Sequence, residues 1–354
     1  MSTKLKVLPV NCGDSLLLTH KSNDKKVRNI VIDGGYIKAF KTLKKQIKSI
    51  QQRKQLIDLW VLTHLDADHI NGALQYLRKI DASEKPKIIG RFWFNFFDAF
   101  TISDDSPFLS FGKGFDLSKL LRKLSIRGRM DITNELGPIS IGDATITILS
   151  PDKKTFRSLQ KAWKDEFKIY YGGEPSTLLA DPSLKDARQI EDLAKKTDAK
   201  EGSSKSGLVN RSSIAFMYEE RGKRILMLGD AYPSVILDAL RKDYSKKKPL
   251  KVKYMKLSHH GSRKNYHTEL LDIISCRRFI ISADGENQHG LPDKEVLAKI
   301  LNHPNRDRSK RITFYFNHDD DRFHHLFDAD KDAERRYNFT CKFPKLKKVL
   351  KVKL

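Results

Sequence analysis

The stretch from Leu59 to Gly72 constrains this chain most. Leu59-Trp60-Val61-Leu62 is a short apolar run with the pattern of a buried strand. Ala73-Leu74-Gln75-Tyr76-Leu77 has the pattern of a helix. Between them stand His64, Asp66, Asp68 and His69, all able to bind a metal. The segment therefore predicts a strand-to-helix turn. Alternating positions 64, 66 and 68 can converge on one side of an extended loop, with His69 capping the start of the helix. Two imidazoles and two carboxylates so close together suit one or two divalent cations. The alternative, a charged and solvated turn, fits poorly between two apolar flanks.

Other strand ends carry similar residues. Asn29-Ile30-Val31-Ile32 ends in Asp33-Gly34-Gly35, where an acid and two glycines allow close backbone approach to a site. Arg224 to Leu228 is an apolar strand ending in Gly229-Asp230. Val252 to Leu257 ends in Ser258-His259-His260-Gly261-Ser262. Clusters at the ends of several strands are what a site at one edge of a sheet sandwich requires, and Asp230 suits a ligand that bridges two metals. Further strands are expected at 5–10, 16–19, 88–95, 212–218 and 278–282, with a hairpin at 139–149. Helices are expected at 38–55, 117–126, 152–170, 233–240 and 294–301. Residues 171–210, with the polar tract 200–207 among them, predict a flexible loop with one helix at 184–197, which could act as a lid or a substrate clamp. Beyond Asn302, two alternating segments and a lysine-rich end predict an added strand layer with a basic edge.

The 354 residues allow one large domain with additions. A formal net charge of +24 favours a polyanionic partner, nucleic acid or an anionic membrane surface. Cys12, Cys276 and Cys341 are far apart and form no Cys-x-x-Cys pair. Neither a zinc knuckle nor a disulfide framework is expected, and a reducing cytoplasm is. The start Met1-Ser2-Thr3-Lys4 leads into a strand rather than a signal peptide, and no run of about 18 apolar residues predicts a membrane span.

Taken together, Asn11-Cys12-Gly13-Asp14-Ser15, Asp33-Gly34-Gly35, His64-Leu65-Asp66-Ala67-Asp68-His69, Asn210-Arg211-Ser212-Ser213, Leu228-Gly229-Asp230 and His259-His260-Gly261-Ser262 resemble the metallo-β-lactamase fold superfamily. The nearest likeness is to the hydrolase domain of bacterial competence (DNA-uptake) proteins. Asp66 stands where the wider superfamily has a second histidine, as it often does in the competence-type branch. The resemblance implies an α/β fold, an αββα sandwich of two mixed sheets flanked by helices. The domain would span 1–301, with insertions near 96–137 and 171–210, and 302–354 would be a basic C-terminal extension packed on it.

The same resemblance implies two divalent metal ions, Zn²⁺ or Mn²⁺. His64 and Asp66 would hold one. Asp68, His69 and a histidine of the pair His259 and His260 would hold the other, with Asp230 bridging and Asp33 supporting the site from behind. The superfamily's middle histidine has no counterpart; Asn210 stands there and is expected at the substrate. The implied activity is that of a nuclease or phosphodiesterase using a two-metal-bound hydroxide. Asp68, His260 and His289 are the expected catalytic residues, and Ser262, Arg263 and Lys264 are placed to hold phosphate oxygens. Nucleic acid is the expected partner, and partner proteins of a DNA-processing or defence system are compatible with it. Two other readings stay open: a hydrolase of a small molecule (cyclic nucleotide, lactone or thioester), and a catalytically weak nucleic-acid-binding module.

Overall fold

In the computed structural model, residues 3–10, 13–80, 88–95, 112–166, 187–202, 205–284, 290–345 and 348–354 are described. His289, Cys12 and much of both expected insertions lie outside them. A first sheet begins with β1 (Lys4–Val7), β2 (Leu16–Lys21), β3 (Val27–Ile32), β4 (Leu59–Val61), β5 (Arg91–Trp93) and β6 (Arg127–Arg129). A second contains β7 (Ile139–Ile141), β8 (Ala144–Ser150), β9 (Ala215–Glu220) and β10 (Lys223–Met227). A small separate pair, β11 (Leu250–Lys251) and β13 (Ile274–Ser275), flanks β12 (Tyr254–Lys256) in sequence. β12, β14 (Arg278–Ile281), β15 (Ile312–Phe316) and β16 (Phe339–Lys342) extend the second sheet, and β17 (Leu350–Lys353) closes the edge of the first. Among the described residues the first sheet has seven strands and the second eight.

Each sheet is antiparallel on one side and parallel on the other. β1 to β3 pair antiparallel, then β3, β4, β5 and β6 run parallel. β7 to β10 pair antiparallel, then β10, β12 and β14 run parallel. The chain beyond Asn302 does not form a layer of its own. Its strands lie at the far edge of the second sheet and beside β1 in the first, because their alternating apolar residues match the pleat already present.

Side-chain alternation builds the layers. Leu16, Leu18, Ile30, Ile32, Leu59 and Val61 point between the sheets and meet Phe216, Tyr218, Ile225 and Met227. Leu17, Val31 and Trp60 point the other way, under α1 (Phe40–Gln52), α2 (Ala67–Arg78) and α3 (Gly112–Lys123). α4 (Lys153–Glu166) follows β8. On the opposite side Met217, Leu226, Met255 and Phe279 pack under α5 (Ile190–Ala194), and α6 (Lys205–Arg211) leads into β9. α7 (Pro233–Leu240), α8 (Leu270–Ile273) and α9 (Lys294–Asn302) complete that face. The order is helix, sheet, sheet, helix: the expected αββα sandwich. No helix among the described residues is long and apolar enough to cross a membrane.

Candidate metal centre

The site lies where the parallel strands of both sheets end, at their C-terminal edge. β4 delivers His64 to His69, β10 delivers Asp230 and β12 delivers His259 and His260. At the first turn, Asp66 is the residue that caps α2, with extended backbone (φ −69°, ψ 151°), and its side chain makes no capping bond. The carboxylate instead lies 3.5 Å from His64 Nε2. His69 was the expected cap; it sits within the first turn, because the helix already begins at Ala67. Two close approaches hold α2 in place. A Cβ on Gly72 would stand 2.0 Å from the Gly34 carbonyl oxygen, and one on Gly34 would stand 2.2 Å from Ala73 N.

The histidine pair is positioned by unusual backbone. His259 (φ 45°) and His260 (φ 58°) are both left-handed, followed by Gly261 (φ 91°). Such non-glycine residues cost about 1–3 kcal/mol each and persist only where their surroundings hold them. Here the His259 N–H donates to Gly229 O (3.0 Å) and the Ser262 N–H to His259 O (2.9 Å). The result turns both rings toward Asp230, with Nε2 at 3.8 Å for His259 and 3.9 Å for His260.

Asp230 is the centre of the cluster. Its Oδ1 is 3.5 Å from His69 Nε2, and its Oδ2 is 3.7 Å from His64 Nε2. Asp68 Oδ2 lies 3.1 Å from His260 Nε2 and 3.5 Å from His69 Nε2. Nε2 of His64 and of His69 and Oδ1 of Asp230 are buried and, among the described residues, have no hydrogen-bond partner. Buried polar atoms are normally paired, so three such atoms facing one another point to a missing partner. A tetrahedral cation with bonds of about 2.0–2.1 Å separates its ligand atoms by about 3.3–3.4 Å, close to the spacing here. The donor groups His64–His69–Asp230 and Asp68–His69–His260 each fit a divalent cation, with His69 Nε2 able to serve one of them at a time.

The rings are braced from behind, as metal-binding imidazoles usually are. His69 Nδ1 lies 2.8 Å from Asp33 Oδ2, His64 Nδ1 is 3.1 Å from the Thr63 hydroxyl, and His259 Nδ1 is 3.0 Å from Asn265 Oδ1. Burial opposes charge on Asp230, yet His69, His259 and His260 outweigh it and hold the carboxyl well below the usual carboxylate range. Burial likewise opposes charge on His69, but Asp230, Asp68 and Asp33 raise its imidazole well above the ordinary value. Asp68 is also held well below its usual range: burial works against this, and His69 and His260 prevail. Asp230 and Asp68 thus favour charge on His69, and His69 favours charge on them, an attraction that a cation can replace.

Of the remaining expected residues, Asn210 lies against the back of the His259 ring. It is buried, with Nδ2 3.2 Å from His259 Nδ1, on the side of the ring turned away from Asp230. It is carried by α6, although the polar tract around it predicted a loop. Ser262 is buried and caps the next turn by accepting the Lys264 N–H. The Arg263 side chain is half exposed, its guanidinium 4.0 Å from Glu295, and Lys264 is exposed.

Two buried residues at the site had no role in the sequence reading. Lys256 ends β12, and its ammonium pairs with Asp14 Oδ2, donates to Gly229 O (3.1 Å) and lies 3.9 Å from Asp230 Oδ1. Asp14 Oδ1 is 3.8 Å from His260 Nδ1. Burial alone would lower the Lys256 value, but Asp14 and Asp230 raise it, so the ammonium stays charged. Asp14 stood in a quoted landmark without a role. A lysine in a lysine-rich strand carries no sequence mark of burial.

No protein-family model matches this chain, and no curated protein matches it. Among solved structures it is similar to Zn²⁺-bound PqqB from Methylobacterium extorquens, at 10% identity and TM-score 0.43, covering 99% of this chain and 100% of that one. A diphosphatase of the PhnP family matches at 10% identity and TM-score 0.38, covering 81% and 89%. A metallo-β-lactamase motif mutant from Cronobacter sakazakii matches at 12% identity and TM-score 0.31, covering 83% and 90%. Identities this low transfer no residue role from one chain to another.

Proposed function

We propose that this protein is a metal-dependent hydrolase, and specifically a phosphodiesterase acting on nucleic acid. The observation that carries the reading is the set of buried, unpartnered donor atoms of His64, His69 and Asp230, adjoined by Asp68 and His260. His64, Asp66 and Asp230 would hold one divalent cation, and Asp68, His69, His260 and Asp230 a second, Zn²⁺ or Mn²⁺ by the mixed imidazole and carboxylate chemistry. Bound cations supply a nucleophile from water at neutral pH and offset charge gathering on phosphoryl oxygens.

The chain's own residues do the rest. Asp68, like the more exposed Asp66, has a carboxylate partly open to solvent, and its contacts with His69 and His260 place it to orient an incoming water. His260 Nε2, 3.1 Å from Asp68 Oδ2, would bind the same cation and keep that carboxylate turned into the site. Arg263 and Lys264 follow the histidine pair after Gly261 and Ser262 and face solvent, where phosphates would arrive. The net charge of +24 favours a polyanion over a small neutral ester, and the competence-type motif set supports the same choice.

The test is a cleavage assay on single- and double-stranded DNA and on RNA with Mn²⁺ or Zn²⁺, beside cyclic nucleotides, lactones and thioesters. Cleavage of a nucleic acid that is abolished by chelator and by Asp68→Ala is expected. Equal cleavage by Asp68→Ala, or turnover of small esters alone, would overturn the substrate assignment.

A further inference from the structure

Lys256 is an unexpected residue to find under a cation site. Its side chain is 1% exposed, as is that of Asp14. A buried ion pair seldom adds stability, since desolvation of both charges offsets their attraction, and apolar replacements of similar volume are often neutral or stabilising. The pair therefore calls for a reason other than stability, and its contacts supply one. The ammonium touches the backbone and the side chain of one segment: it bonds to Gly229 O and lies beside Asp230 Oδ1. Gly229 itself is left-handed (φ 49°), and a Cβ there would stand 2.5 Å from Ser213 Oγ. On its other side the ammonium fixes Asp14, whose free oxygen faces His260 Nδ1. Both of those facing atoms are buried and, among the described residues, lack a hydrogen-bond partner. Asp14 is held in turn by its N–H to Asp68 O (3.3 Å). His64, His69 and His259 have a bonded group behind Nδ1; for His260 that place belongs to Asp14.

We propose that Lys256 and Asp14 are positioning residues of the metal centre, with Lys256 fixing the Gly229–Asp230 segment and holding Asp14 behind His260. The proposal rests on the metal-centre reading above. It assigns the pair to cation affinity rather than to fold stability. Groups that brace a ligand in this way typically change metal affinity by about 10–100-fold when replaced. A positive charge as such would weaken cation binding, so the two roles predict opposite signs.

The experiment compares the parent protein with Lys256→Met and with the double variant Asp14→Asn/Lys256→Met. Mn²⁺ and Zn²⁺ are titrated into chelator-stripped protein, ions per chain are counted by elemental analysis, and thermal unfolding of the stripped forms is recorded. The expected result is affinity weakened about 10–100-fold in both variants, while the stripped double variant unfolds no lower than the parent. Unchanged or tighter metal binding in a folded variant overturns the proposal. If Lys256→Met alone fails to fold, the double variant, which leaves no lone buried charge, decides. If neither folds, the pair is structural and the proposal fails. A parent that binds no metal overturns the metal-centre reading itself, an outcome separate from the others.

Discussion

Asp33 Oδ2 lies 2.8 Å from His69 Nδ1, while its Oδ1 accepts the Thr63 N–H at 2.7 Å and its Oδ2 the Thr63 hydroxyl at 2.8 Å. One carboxylate thus ties the end of β3 to the chain leaving β4 and sets the plane of the most buried imidazole. Asp33→Asn keeps the volume but replaces an acceptor oxygen with a donor. Mn²⁺ or Zn²⁺ affinity should fall by about 10–100-fold, read by titration of stripped protein. Affinity equal to the parent's would remove Asp33 from the site.

Arg263 and Lys264 give a test of the polyanion reading. Each phosphate neutralised on duplex DNA contributes about −0.9 to the slope of log affinity against log salt. Replacing both by Ala should weaken binding of a DNA duplex and make that slope shallower by about 1–2. Filter binding across a salt series would show it; an unchanged slope would place the phosphates elsewhere.

Gly72 lies inside α2, where Ala is ordinarily about 1 kcal/mol more favourable than Gly. Here the added methyl would meet the Gly34 carbonyl oxygen at 2.0 Å, and backbone on both sides cannot give way cheaply. Gly72→Ala should therefore destabilise by about 1–3 kcal/mol, measured by denaturant unfolding. A stabilised variant would mean that the loop after β3 is not packed on α2.

A pH effect arises away from the centre. Asp198 accepts the Thr268 N–H and hydroxyl, each at 3.0 Å, and the Lys299 ammonium at 2.9 Å. Burial would raise its carboxyl, but Lys299 and Thr268 lower it below the usual value. A lowered folded value gives stability that is present above the unfolded value, near about 3.9, and is lost as pH falls through the folded one. Asp198→Asn should thus lower the melting temperature at pH 7 more than at pH 3. An equal loss at both would show that the ionised carboxylate contributes nothing.

The thiols of Cys276 and Cys341 are both pushed up by burial to about 12. Only the thiolate is a good nucleophile. Native protein treated with iodoacetamide at pH 8 should leave both unmodified, and unfolded protein should not. Peptide mapping would separate them, and rapid native labelling of either would contradict the raised value of its thiol.

Much of this molecule was visible in one dimension. The apolar run at 59–62 followed by His64, Asp66, Asp68 and His69 identified a strand, a turn and a donor cluster, because strand periodicity and ligand spacing are local properties. The same holds for Gly229-Asp230 and for the pair His259 and His260. The resemblance of the motif set to the metallo-β-lactamase superfamily extended this to two sheets and four layers. What only the tertiary structure decided depends on pairing between distant segments. β10 and β12 run parallel in one sheet and bring Asp230 beside the histidine pair, while β4, in the other sheet, brings His64 and His69 to the same carboxylate. The left-handed backbone at 259 and 260 aims both rings at one centre, and no local pattern announces it. Lys256 was unreadable for the same reason. In a chain with 68 lysines and arginines, a single ammonium is distinguished only by what surrounds it, and Asp14 arrives from the opposite end of the sequence.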